Sequence, residues 1–511
     1  MEIVPKNEVV ANSLRTRLGV TQAVIECKLP VVNESQVSKI LCASAKSYIQ
    51  TVEANEKEIT FSGNVNFQVI YENEENVASA LDYTADFKDK FVSDKITATC
   101  VPVVTSSVVD VNTTTIGNDV KVVAIVEICV DIISTLEQSI VVDVTGSGVF
   151  TKTDTLNYSK FLGVLSDKFD ESYDIEIKDN ILKVLEVSLS PYIEKVEVSD
   201  KLAKVIGGAN VDICYLTNGE TPLLRSFQTS VNFSQDVALD GLTENSKIQS
   251  DLHINYSLIK VTTNIDADNA IVNLTIPYDY MGYAFETNEQ QVVTDVFSLS
   301  NFINVTTESL NSIKIGEDYF DTSKVSGFVS IEDNYVDEVL GTCCNTVTLA
   351  NSTLENNMLT LEGVASTTVI YLNKENNSMY SALVEMPFSI NENIEGISEN
   401  FVPNVTLSLG EVSCRLKRGS ELEVNATLFV FANFYGETTD AVITQINVAD
   451  EKPENMCVLT IYVVKPNETV WDIAKELNVS PDELLNQNPN VNLPLEGGEK
   501  LIVYRQKEVL F

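Results

Sequence analysis

One phrase is written three times in this chain: a glycine, seven residues in which apolar side chains mostly alternate with polar ones, and a tyrosine. The copies run from Gly63 to Tyr71, from Gly207 to Tyr215 and from Gly363 to Tyr371. A period of two puts one set of side chains on a single face of an extended chain. Glycine supplies the freedom that a chain needs where it turns or bulges into a strand. Further landmarks keep step with each copy. A phenylalanine follows the tyrosine after 16 to 18 residues, as Phe87, Phe233 and Phe388. An apolar triplet precedes the glycine, as Val37, Ile40 and Leu41, as Ile181, Val184 and Leu185, and as Val336, Val339 and Leu340. The i, i+3, i+4 spacing of the triplet predicts one helical turn. Asn33 and Ser35, Asp179 and Asn180, and Asp333 and Asn334 are placed to cap it. A repeat of roughly 150 residues is domain-sized and too long for a solenoid unit.

Between the landmarks the pattern is almost all strand. Val20 to Leu29 completes the first sheet, and Val120 to Val130, apolar on both faces, reads as a central strand. Ala270 to Tyr278 and Leu422 to Ala432 are the matching late strands of the second and third copies. Repeated β-domains hide their apolar faces by closing a sheet or packing two together. The expected fold is therefore mainly β: three repeated antiparallel β-sandwich or barrel domains, over residues 1–160, 161–315 and 316–450, and a small βααβ module over 457–505.

A polar linker, Glu451 to Asn455, separates that module from the repeats. Its strands are Leu459 to Val464 and Lys500 to Tyr504, and its helices begin at Trp471 and Asp482. Thr469 and Ser480 are placed as N-caps, with Pro481 at the first helical position of the second helix.

Composition excludes several functions. The net charge is −40, from 74 acidic against 34 basic side chains, with no long acidic run. Such a surface repels nucleic acid and anionic head groups, so no nucleic acid and no direct membrane insertion is expected. The first residues lack a basic stretch leading into an apolar one, and nowhere do 18 apolar residues run together, which predicts a chain that stays where it is made. Nine scattered cysteines without CxxC pairs predict neither a disulfide framework nor a metal site, and fit a reducing cytoplasm. Cys343 and Cys344, adjacent on a strand, are expected on opposite faces. The single histidine, His253, on a predicted strand, reads as structural. Without further histidines, a phosphate loop or a dinucleotide fingerprint, the chain is expected to be no enzyme and to need no cofactor. The single tryptophan, Trp471, reads as core of the small module, a role compatible with a partly exposed anchor.

The triplicated Gly-x7-Tyr strands with their phenylalanines, over roughly residues 32 to 445, resemble the SPOCS-type domain of clostridial spore-coat proteins. The C-terminal module closely resembles a LysM domain through Tyr462, Val463, Thr469, Val470, Trp471, Ile473, Ala474, Val479, Ser480, Leu484, Asn488, Gly498 and Leu501. LysM domains usually bind N-acetylglucosamine polymers in a groove between two loops. Here the resemblance places that groove at Asn467, Glu468 and Thr469 and at Asn490 to Leu493. The family commonly has Gly-Asp-Thr where this chain has Asn467-Glu468-Thr469, which adds a side chain at the groove edge. The combined architecture resembles clostridial spore-coat morphogenetic proteins, made in the mother cell. In these the LysM domain binds the ATPase of the coat basement layer, stage IV sporulation protein A, at the forespore surface. The resemblance thus implies a scaffold that binds this ATPase, and itself or other coat proteins, with peptidoglycan as the alternative partner. The LysM residues expected to carry the contact are Val470, Trp471, Lys475, Asn490, Val491, Asn492 and Leu493.

Overall fold

The period-two pattern becomes strand almost throughout. The computed structural model describes residues 3–31, 36–117, 119–265, 269–331, 336–376, 378–394, 397, 400–417, 420–453 and 458–505. The first repeat comprises β1 (Val4–Leu29), β2 (Val37–Asn55), β3 (Glu58–Asn73), β4 (Ala78–Val92), β5 (Val101–Ile116) and β6 (Asp119–Thr145). The second comprises β7 (Val149–Ile177), β8 (Ile181–Ser199), β9 (Leu202–Thr217), β10 (Leu224–Ala238), β11 (Lys247–Ile254), β12 (Lys260–Ile265) and β13 (Ala270–Ser298). The third comprises β14 (Asn301–Ile315), β15 (Tyr319–Ser330), β16 (Val336–Glu355), β17 (Met358–Asn373), β18 (Met379–Asn393), β19 (Phe401–Leu416) and β20 (Glu421–Glu451). The C-terminal module is β21 (Leu459–Val463), α1 (Val470–Leu477), α2 (Pro481–Gln487) and β22 (Lys500–Tyr504).

Each repeat is a sandwich. A three-stranded meander, β2-β3-β4 in the first repeat, packs against a second sheet ordered β1-β6-β5. β8-β9-β10 and β16-β17-β18 are the meanders of the other repeats. β6 is the central strand expected from its sequence, and Val120, Val122, Ala124, Val126, Ile128 and Val130 all point into the core. β13 and β20 play the same part in their sheets. These long strands run on past the sandwich, paired with β1, β7 and β14, as two-stranded ribbons.

The landmarks acquire a common cause. Gly63 pairs with Phe87, Gly207 with Phe233 and Gly363 with Phe388, each across one strand pair. The ring covers the glycine, and opposite it the first meander strand bulges at Ile49, Ile193 or Leu349. The glycine thus lies mid-strand, under a ring and beside a bulge, and does not mark a turn.

Two expectations are corrected. The apolar triplets form no helical turn. They open β2, β8 and β16, where two successive bulges each insert one residue, between Val37 and Lys39 and between Ile40 and Cys42 in the first repeat. The same pair recurs in β8 and β16. Two inserted residues change a period-two pattern into the i, i+3, i+4 spacing that a helix would also give. Of the capping candidates, Asn33, Ser35, Asp333 and Asn334 lie outside the described residues, as do Glu454 and Asn455 of the linker, while Asp179 accepts a hydrogen bond from the Tyr215 hydroxyl at 3.1 Å. The boundaries at 160/161 and 315/316 do not fall between units. The first lies inside β7 and the second at the last residue of β14, because the chain passes between repeats at the ribbon tips, after Thr145 and after Ser298.

The three ribbons converge on a shared core. Val10 and Ile140, Leu156 and Val292, and Leu310 and Val442 meet in one cluster, two residues from each repeat. Val141, Val293 and Ile443, next along the chain, contribute to a second. A bulge at the same place in each ribbon allows neighbouring residues to serve both clusters. The meanders converge in the same way through Leu41, Ile70, Cys214, Leu216, Leu340 and Ile370. The repeats therefore pack around a common axis.

Candidate functional site: the C-terminal module and its seat

The module folds as its caps dictate. The Thr469 hydroxyl accepts from the Asp472 N–H at 3.3 Å, while the Asp472 carboxylate accepts from the Thr469 N–H at 2.9 Å, closing a capping box. α1 ends at Asn478 in the left-handed region (φ 57°), and Ser480 caps α2 with Pro481 behind it. Asn488 braces β22 to α2, donating to the carbonyls of Ile502 and Leu484 at 2.8 Å and accepting from the Ile502 N–H at 2.8 Å. Val464, Ile473, Ala474, Val479, Leu484, Leu501 and Val503 form the core.

That core is completed from outside. Phe297 of β13 is buried within it, and Phe150 and Leu299 pack alongside. The Trp471 ring meets Phe297 edge-on at 5.0 Å, and its Nε1–H donates to Asp295 Oδ2 at 2.8 Å. Lys475 Nζ donates to both Asp295 oxygens, at 2.7 and 2.8 Å. Asn478 Nδ2 reaches the Leu299 carbonyl at 2.8 Å, and Lys452 Nζ joins the Ser298 carbonyl to Asn478 Oδ1 at 2.7 and 2.9 Å. Trp471 and Lys475, two residues expected to face a partner, are thus held by the second repeat's ribbon. Val470 is half-buried against the module's core.

The loop residues are disposed differently. Asn467 adopts φ 65°, the conformation that favours glycine or asparagine. Glu468 folds back to accept from the Tyr462 hydroxyl and the Lys465 N–H, each at 2.8 Å. On the other loop Val491 is half-buried, whereas Asn490, Asn492 and Leu493 are exposed.

Asp295 went unread in the sequence because it sits in an alternating ribbon strand like many surface carboxylates. Only its coincidence with a bulge, between Val293 and Asp295, sets it apart. Burial raises its pKa, but the hydrogen bonds from Lys475 and Trp471 and the nearby ammonium outweigh this and hold it below the ordinary carboxylate range. A depressed pKa in the docked state means that docking is fully stabilised above the free carboxyl value of about 3.9 and weakens as pH falls through the docked value. Asp295→Ala should weaken docking by about 1–2 kcal/mol, since the pair is partly exposed. Trp471, the single tryptophan, reports it directly. Its emission should shift to the red in the variant at neutral pH, and in the unaltered chain only under acid. Identical spectra for the two chains at pH 7 would sink this assignment.

Elsewhere, His253 is half-buried on β11 and lines a cavity of about 230 Å³ between the repeats, with Lys46, Ser107, Ser190, Asn345 and Leu409. The cysteines correct a further expectation. Cys343 and Cys344 do not face opposite ways, for both are buried among the meanders. β16 carries an extra bulge between Cys343 and Thr346, and Cys344 takes φ 52°, which turns its side chain inward too.

Comparison with known families follows this division. The family described as SipL, SPOCS domain, matches residues 180–266, which cover most of the second repeat from β8 to β12. The family described as LysM domain matches residues 462–503. The chain carries a SPOCS domain and a LysM domain. No curated protein and no solved structure matches it. The first and third repeats share the strand order and bulges of the SPOCS-matched repeat, and the LysM domain is seated on that same repeat.

Proposed function

We propose that the chain is a non-enzymatic morphogenetic scaffold of the spore coat, which acts in the mother-cell cytoplasm at the forespore surface and binds the ATPase of the coat basement layer through its LysM domain. The observation that carries this reading is the seating of the LysM domain. One face is fixed to Asp295 and Phe297, while Asn490, Asn492 and Leu493 stay exposed. A recognition loop held on a rigid platform binds without first losing orientational freedom. An exposed leucine between amides suits a protein surface, where an apolar anchor with a polar rim is the usual arrangement.

Truncation after residue 451 tests the reading during sporulation. The fluorescent full-length chain should encircle the forespore and co-precipitate the ATPase, and the truncated chain should do neither. Leu493→Asp should lower co-precipitation roughly tenfold or more without moving the melting temperature, because the side chain is 61% exposed. A truncated chain that still encircles the forespore would transfer targeting to the SPOCS repeats.

The second reading is peptidoglycan binding. The left-handed conformation of Asn467 in the first loop and the exposed amides of Asn490 and Asn492 in the second favour it. Pull-down on insoluble peptidoglycan separates the two. On the scaffold reading the chain stays in the supernatant.

A further inference from the structure

Four cysteines spread over three repeats meet at the axis. Cys42 comes from β2, Cys214 from β9, and Cys343 and Cys344 from β16, and all four are buried. The sulfurs of Cys42 and Cys343 are 3.0 Å apart, and those of Cys42, Cys343 and Cys344 all lie within 4.8 Å of one another. Cys214 Sγ is adjacent, 3.7 Å from the Thr342 carbonyl and beside Cys343. Around them stand Leu41, Ile70, Leu340 and Ile370.

Packing alone does not call for sulfur here. By strand register, Cys214 occupies the place of Ile70 and Ile370 in the sibling repeats, which fill the same core with a branched hydrocarbon. Nor does the fold call for the bulge at Cys344. β2 and β8 pass the same point without it, and it places a non-glycine residue in the disfavoured left-handed region. The effect of that bulge is to bring a further sulfur to the other three. Thiols are weak hydrogen-bond partners for one another, whereas thiolates are ligands for soft cations.

We propose that Cys42, Cys343 and Cys344, with Cys214 as the fourth thiolate, bind a thiophilic divalent cation of the zinc class and so tie the three repeats together at their axis. A tetrahedral ion with bonds of about 2.3 Å sets its sulfurs about 3.8 Å apart; Cys42 and Cys343 stand closer than this, at 3.0 Å, and the sulfurs of Cys42, Cys343 and Cys344 all lie within 4.8 Å of one another. Four thiols bind one dication and release four protons, leaving a net charge of −2 on the cluster. Lys46, on β2, stands beside Glu186 and Cys344. The Ser44 hydroxyl, which donates to Glu186 at 3.2 Å, lies next to Cys344.

The test uses the full chain, purified with reductant and dialysed against Zn²⁺ or Co²⁺. Elemental analysis should find one zinc per chain, and cobalt should give the strong near-ultraviolet thiolate charge-transfer band and visible bands of a tetrahedral sulfur site. Zinc should raise the melting temperature, as any ligand of the folded state does. Cys214→Ile keeps the residue of the sibling repeats and should fold, yet bind zinc roughly tenfold or more weakly. Cys343→Ser should abolish the cobalt bands, and Cys414→Ser, outside the cluster, should leave them intact. The proposal is overturned if the unaltered chain binds no zinc beyond what Cys343→Ser retains. It is equally overturned if the chain, isolated without reductant and before any metal is added, proves two hydrogens lighter, with Cys42 and Cys343 joined as a disulfide.

Discussion

Gly363→Ala should destabilise the third repeat by about 3 kcal/mol, near the upper end of what overpacking a core costs. An added methyl would stand 2.3 Å from the Thr348 carbonyl oxygen and 2.6 Å from the Phe388 ring. The carbonyl belongs to the bulged neighbour strand and the ring to the sandwich core, so neither is a flexible tip that can swing away. The glycine lies outside the left-handed region, so the penalty is steric and not conformational. Gly63→Ala and Gly207→Ala meet the equivalent carbonyls, of Tyr48 at 2.3 Å and of Tyr192 at 2.4 Å. Thermal unfolding of the three variants measures the effect. Combining Gly363→Ala with Phe388→Leu should recover part of the loss in a double-mutant cycle, because one of the two clashes goes. If Gly363→Ala melts within a degree of the unaltered chain, the shared glycine has been misread.

Asp131→Ala should cost about 3 to 5 kcal/mol, the range for removing one partner of a buried ion pair. Arg15 and Asp131 have side chains each only 3% exposed, and the Arg15 Nε and Nη2 groups donate to Asp131 Oδ2 at 3.0 and 2.9 Å. Arg15 also donates from Nη1 to Gln249 in the second repeat at 2.9 Å, and its guanidinium lies 4.8 Å over the Tyr435 ring in the third. One side chain of the first repeat therefore touches both others. Without Asp131 the guanidinium stays buried with no counter-charge. Arg15→Met should cost less, because Asp131 keeps the bond from Arg17 Nε at 2.9 Å, and Arg17 reaches water. The order of the two melting temperatures is the measurement. An Asp131→Ala chain as stable as one altered at an exposed carboxylate would exclude a structural role for the pair.

Much of this architecture was legible because glycine and phenylalanine mark positions where sterics leave few alternatives, and a steric demand repeats whenever the fold does. The LysM caps were legible for a similar reason, since Thr469 and Ser480 act within three residues of themselves. What failed was whatever depends on pairing between strands. A bulge leaves no composition signature, so two of them in β2 mimicked a helical turn, and one in β16 reversed the expected direction of Cys344. The seat of Trp471 was hidden for the same reason. Asp295 and Phe297 lie about 175 residues earlier in the chain, and only the path of the ribbons brings them under the LysM domain.

The long strands also decide how the molecule would carry load. β20 enters as the central strand of a sandwich and ends, 31 residues later, at the tip of the ribbon it forms with β14, a continuous span on the order of 100 Å. Tension between the ribbon tip and the sandwich would run along the strand, so that its many backbone hydrogen bonds to β14, β15 and β19 would resist sliding together instead of parting in turn. A strand loaded in this way yields late and all at once.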